Sequence, residues 1–110
     1  FILGARSVKP DIQVSSTFTG DWNDAAKARE AMSAIISTGA DVVYQWLDNA
    51  APTALKTAEE KGVFTFGNTV DQLDVAPKSV LTTAVKRIDL AIAKFADLAT
   101  RGELKGQIYS

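Results

Sequence analysis

The 110-residue chain contains neither cysteine nor histidine. Without cysteine there is no disulfide framework, thiol nucleophile or thiolate metal site, and the redox compartment is not encoded in these residues. Without histidine, serine-hydrolase triads, histidine-ligated metals and imidazole acid–base chemistry are excluded within the chain. Long apolar runs are also missing: none approaches the roughly 20 residues that span a bilayer. Nor is there an excess of either charge. Twelve basic and thirteen acidic residues leave a net charge of -1, so the clustered Lys and Arg of a phosphate-binding surface are lacking and nucleic acid is not an expected partner.

What remains is an ordinary globular composition, 46% hydrophobic and 23% charged, of a length that suits one domain. "FILGARSVKP" reads as the last turns of a helix stopped by Pro10. "IQVSS" follows as a short strand. A helix is expected from Ala25 to Thr38, capped by Asn23 or Asp24 and closed by Gly39. "DVVYQ" is a strand whose adjacent valines suit burial on both faces. Pro52 fits a first helical turn, with Ala54, Leu55 and Ala58 facing inward until Gly62. "VFTF" is a third strand, Gly67 to Pro77 a loop and "SVLTT" a fourth strand. A final helix is expected over Val85 to Thr100, with Val85, Ile88, Ile92, Phe95 and Ala99 on one face.

Single helices alternating with short hydrophobic strands imply crossover connections. The fold class is therefore α/β with a doubly wound parallel sheet, residues 1–110 forming a single lobe. The chain opens in a helix, before any strand, whereas the first strand of a doubly wound sheet lies in its middle. Together with the strand-like ending "GQIYS", this leads to the expectation of a piece of a longer protein.

In an open parallel sheet, ligands bind beyond the carboxyl ends of the strands. Those ends lead into "STFTGDW", "QWLDNAAP", "GNTVDQ" and "TTAVKR". One rim thus gathers Trp22, Trp46, Asp48, Asn49, Asn68, Asp71, Gln72 and Lys86. Aromatic faces with a few amides and charges suit a small polar ligand that has a flat or sugar-like part. Plainer roles compete: Asp21, Asn23 and Asp24 as caps of the following helix, and Asp48 and Asn49 likewise. Trp46 has the alternative of packing on a neighbouring helix. Trp22, in a polar loop, is less readily a core residue. Lys86 and Arg87 fall where a helix dipole disfavours cations, so Asp71 or a ligand is expected near Lys86, against the alternative of a solvated lysine.

The stretches "FILGARSVKPDIQV", "TGDWNDAAKAREA", "GADVVYQ", "TAEEKGV", "GNTVDQ" and "VLTTAVKRID" resemble, in one order over nearly the whole chain, the basic membrane protein family of substrate-binding lipoproteins. These are nucleoside-binding receptors of certain ABC importers. The resemblance implies one lobe of a two-lobed, type I periplasmic-binding-protein fold. It implies a nucleoside-like solute clamped between lobes, a missing N-terminal lobe, ABC permease subunits as partners and no cofactor. It also implies a periplasmic or membrane-anchored location on the outer side of the cytoplasmic membrane. By position, the family's ribose-binding lysine falls on Lys86, and its base-stacking aromatic on Tyr44 or Trp46. The family loop Gly-x-Asp-x-Asp-Gln reads "GNTVDQ" here. Thr69 replaces the first acid while Asp71 and Gln72 remain, and a threonine cannot accept two ribose hydroxyls as a carboxylate does.

The chain therefore reads as a non-enzyme that captures solute by lobe closure. A ligand-sensing domain of a regulator or receptor on the same fold is the alternative. An α/β enzyme is disfavoured by the lack of histidine, of a GxGxxG or Walker loop, and of a nucleophile–base pair.

Overall fold

The computed structural model of the chain describes residues 1–109. Where the local signals are strongest, the helices form as expected. Helix α1 (Ile2–Val8) stops two residues before Pro10. The carboxylate of Asp24 starts α2 (Ala25–Ser37) by accepting the N–H groups of Ala26 and Lys27 at 2.9 and 3.0 Å. That satisfies two of the four orphan donors of a helix N-terminus. Gly39, at φ 94°, ends the helix in a conformation that few residues other than glycine adopt cheaply. Pro52 lies in the first turn of α3 (Ala51–Glu60).

Three parallel strands, β1 (Val42–Tyr44), β2 (Phe64–Thr69) and β3 (Val80–Val85), lie in the order β1-β2-β3. Val42 pairs with Phe64 and Tyr44 with Phe66; across the next seam Phe66 pairs with Thr82 and Thr69 with Val85. Helix α3 is the crossover between β1 and β2 and packs beside α2. Ala28 and Met32 of α2, Val43 of β1, Ala54 and Ala58 of α3, and Val63 form one buried cluster; Leu55, Ala76 and Val80 form a second. This is the α/β architecture the alternation predicts.

Four expectations need correction. Residues of "IQVSS" are not a strand. Ile12 and Val14 alternate half-buried with exposed neighbours, as a strand would, but the segment joins no ladder, and strand pairing is where an extended backbone's hydrogen bonds go. Strand β2 continues through Thr69, beyond "VFTF", because its ladder with β3 extends that far. The expected loop that follows contains a short 3₁₀ turn, Leu73–Val75. Helix α4 begins at Ile88, not Val85, and runs to Thr100; Val85 pairs in β3.

The sheet face that carries Val42, Tyr44, Phe64 and Phe66 is thinly covered. Phe1 stacks on Tyr44, with centroids 5.3 Å apart and planes 9° apart, and meets Phe66 edge-on. Val42 and Phe64 stay exposed, and α4 buries none of its residues. Among the described residues no helix is long and apolar enough to cross a membrane.

Candidate functional site

The carboxyl ends of β1 and β2 open onto a groove of about 510 Å³. Seven of the expected residues line it: Trp22, Trp46, Asp48, Asn49, Asn68, Thr69 and Gln72, joined by Leu47, Pro52 and Val70. A second hollow, of about 560 Å³, shares Trp22, Trp46 and Leu47 and runs between the Thr17–Trp22 loop, α2 and β1. The tryptophans of the two rim loops thus border both spaces, and each is more than half exposed, at 57% and 55%.

The Trp22 loop is held by backbone. Its carbonyl accepts the N–H groups of Asp48 and Ala50 at 3.0 and 3.3 Å, and Asn49 Nδ2 donates to Asn23 Oδ1 at 2.8 Å. Asn49 is thus tied to the neighbouring loop and does not cap α3, which has no side-chain cap. The Asp48 carboxylate has no hydrogen bond among the described residues, so capping does not account for it. Asp21 and Asp24, by contrast, are structural acids. Asp21 Oδ1 accepts the N–H groups of Asn23 and Asp24 at 2.7 and 3.1 Å, and these bonds, with Lys27 nearby, hold its carboxyl below the usual aspartate range.

Tyr44, Asp71 and Lys86 do not line the groove. Tyr44 meets Trp46 edge-on at 6.4 Å, with Phe1 on its ring face. Asp71 Oδ1 accepts Leu73 N–H at 3.1 Å and so starts the 3₁₀ turn; it is not the partner of Lys86. The Lys86 ammonium lies 4.7 Å from the centroid of the Trp46 ring, a cation–π distance. Lys86 also precedes α4 by two positions, outside the helical turn expected for it. The dipole acts on Arg87, whose guanidinium is paired with Asp89 at 3.0 and 2.7 Å. Each partner steadies the other's charge: Asp89 raises the Arg87 pKa, and Arg87 lowers that of Asp89.

The floor is a buried amide network that sequence reasoning missed as a unit. Gln45 Oε1 accepts Leu47 N–H at 2.8 Å, and Gln45 Nε2 donates to Gln72 Oε1 at 3.0 Å. Gln72 Oε1 also accepts Asn68 N–H at 2.9 Å. The backbone N–H of Gln72 donates to Thr83 Oγ1 at 3.2 Å. Gly67 makes room for this: a Cβ there would lie 2.3 Å from Thr83 Oγ1 and 3.1 Å from Gln72 Cβ. Next to it, Thr69 has φ 72° while Val70 N–H bonds Asn68 carbonyl at 2.9 Å. That i→i+2 bond about a positive φ is a strained three-residue turn, unusual for a β-branched residue. Asn68 is 4% exposed, and its Nδ2 is the buried side-chain polar atom among the described residues that has no partner.

Comparison with known proteins identifies the family. Residues 1–109 match the family model described as ABC transporter substrate-binding protein, PnrA-like. The transcriptional activator protein med of Bacillus subtilis is 32% identical over 106 residues, 96% of this chain and 33% of that protein. A purine-binding protein of Brucella abortus is 36% identical over 85 residues, 77% of this chain and 24% of that protein. In structure, a transcriptional activator of the comK gene from Bacillus halodurans matches with a TM-score of 0.72 at 28% identity, over 78% of this chain and 30% of the other. The chain thus spans about a third or less of the length of these relatives.

Proposed function

The chain belongs to the PnrA-like family of ABC transporter substrate-binding proteins, and from that membership we propose that it is one lobe of a two-lobed solute receptor holding a purine nucleoside or related compound in the groove at its strand ends. One observation supports this above the others. Two half-exposed tryptophans border a groove into whose wall the unpartnered Asn68 amide is built. The Asp48 carboxylate, which lines the same groove and has no hydrogen bond among the described residues, is an acceptor open to a solute hydroxyl. A flat base against an indole adds contact area of a kind that every base offers.

In this reading the second lobe closes over the groove, expels water and strengthens each polar contact. The population shifts because those contacts exist only in the closed state. The protein acts by binding without turnover and passes its solute to permease subunits, at the outer side of the cytoplasmic membrane. Calorimetric titration of the full-length protein with purine nucleosides, free bases and sugars tests the reading. Saturable binding of nucleosides is expected; a protein that binds only sugars, or none of the three, overturns it.

A second reading has its own support. Two of the similar proteins are named as transcriptional activators, so the same lobe fits the sensing part of a regulator. The two readings share the groove and differ in the consequence of binding, import in one and signalling in the other. Deleting the gene abolishes cellular uptake of labelled nucleoside if the protein is an import receptor. Uptake stays intact and transcript levels change if it is a sensor.

A further inference from the structure

We infer that Gln72 is the groove's fixed hydrogen-bond donor, its Nε2 reading an acceptor atom on the bound solute. The inference rests on the reading of the groove as the solute site. Gln72 lines the groove and is 8% exposed. A carboxamide ordinarily offers either its oxygen or its nitrogen by flipping, but here the choice is made from behind. Gln72 Oε1 accepts two N–H groups, from Gln45 Nε2 at 3.0 Å and from the Asn68 backbone at 2.9 Å. A flip would set an NH2 group against both donors and leave two buried N–H groups unmade. The oxygen is therefore turned inward, and Nε2 is left as a donor with no hydrogen bond among the described residues. Unlike Asn68 Nδ2, it is not sealed from solvent.

The orientation is relayed, not local. Leu47 N–H donates to Gln45 Oε1, Gln45 Nε2 donates to Gln72 Oε1, and Gln72 Nε2 continues the series outward. Carboxamides aligned head to tail polarise one another, which strengthens the terminal donor. Two elements set the arrangement: the loop after β1 through Leu47, and the end of β2 through Asn68. The solute class this fits presents a carbonyl oxygen or an unprotonated ring nitrogen to Gln72. A group that can only donate, such as an exocyclic amine, meets a donor there and is rejected.

The test uses the full-length protein, inosine as the probe, and Gln72→Glu. An ionised glutamate still accepts both N–H groups but has no proton to donate. Inosine affinity should fall about tenfold or more, the scale of one polar contact left unmade in a site built to make it, while the melting temperature changes little. Gln72→Met removes the donor without adding charge, and with it the acceptor of Gln45 Nε2 and the Asn68 N–H; it should weaken inosine at least as much, and it decides the matter if Gln72→Glu does not fold. Unchanged inosine affinity in either folded variant overturns the inference. Trp46→Ala, measured alongside, separates the two readings. If it weakens inosine while the Gln72 variants do not, the groove is the site and Gln72 is not its donor. If inosine binds normally to all three variants, the groove itself is the wrong site and the inference falls with it.

Discussion

At Thr69 a β-branched residue is held at φ 72°, a conformation whose cost for a non-glycine residue is about 1–2 kcal/mol. Glycine removes that cost but adds about 0.5–1 kcal/mol of unfolded-chain freedom. Thr69→Gly should therefore leave stability unchanged or raise it by up to about 1.5 kcal/mol, as read by urea denaturation. A loss of stability would mean the turn is not strained. Two residues earlier the opposite holds. Gly67→Ala places a methyl group 2.3 Å from Thr83 Oγ1, and both strands are fixed by their ladder, so about 1–3 kcal/mol of overpacking is expected. The same denaturation curves check it, and an unchanged midpoint would contradict the close approach. Lys86 calls for a different measurement. Its ammonium rests on the Trp46 ring, so Lys86→Ala should alter tryptophan emission even without solute. It should weaken solute binding in the full-length protein by about 1.5–3 kcal/mol if the lysine also donates to the solute. Unchanged emission and affinity would make Lys86 a solvated surface residue. Asp21 titrates below the usual aspartate range because its ionised form accepts two backbone N–H groups. With its folded pKa below the unfolded one, its contribution to stability is present at neutral pH and is lost as pH falls through the folded pKa. An NMR titration of its carboxyl carbon should show the lowered midpoint.

Among the elements, those specified by neighbours in sequence were the legible ones. The limits of α2 follow from a capping aspartate before it and a glycine after it, both readable in "DWNDAAK" and "STGAD". Asp24→Ala should destabilise the fold by about 1 kcal/mol, a value thermal denaturation resolves. Strand character in "IQVSS" was equally readable, yet a strand exists only through a partner, and pairing lies outside the segment's own sequence. The same holds for the rim. Its membership followed from where β1 and β2 end, so Trp46 and Asn68 could be named in advance; Trp22 was named from the end of "IQVSS", which is no strand, and is held at the groove by its carbonyl's bonds to Asp48 and Ala50. The Gln45–Gln72 relay could not, because it requires two loops 27 residues apart to meet. Nor could the seat of Lys86 on Trp46, which depends on α4 starting two residues after it.

For the whole molecule, a parallel sheet is normally covered on both faces, and here one face shows Val42 and Phe64 to solvent while α4 buries nothing. The radius of gyration, 17.2 Å, exceeds the roughly 13 Å of a compact chain of this size. Both features are what the proposed two-lobed reading expects of one lobe, and the chain is about a third as long as the relatives it matches. Everything proposed for this lobe turns on whether the solute sits in the groove between Trp22, Trp46 and Asn68. The indole N–H resonances of Trp22 and Trp46 report on that groove in isotope-labelled full-length protein as inosine is added. Both should shift, saturating together with the calorimetric binding curve. If inosine saturates the protein while both resonances stay in place, the solute binds elsewhere and the groove is not its site.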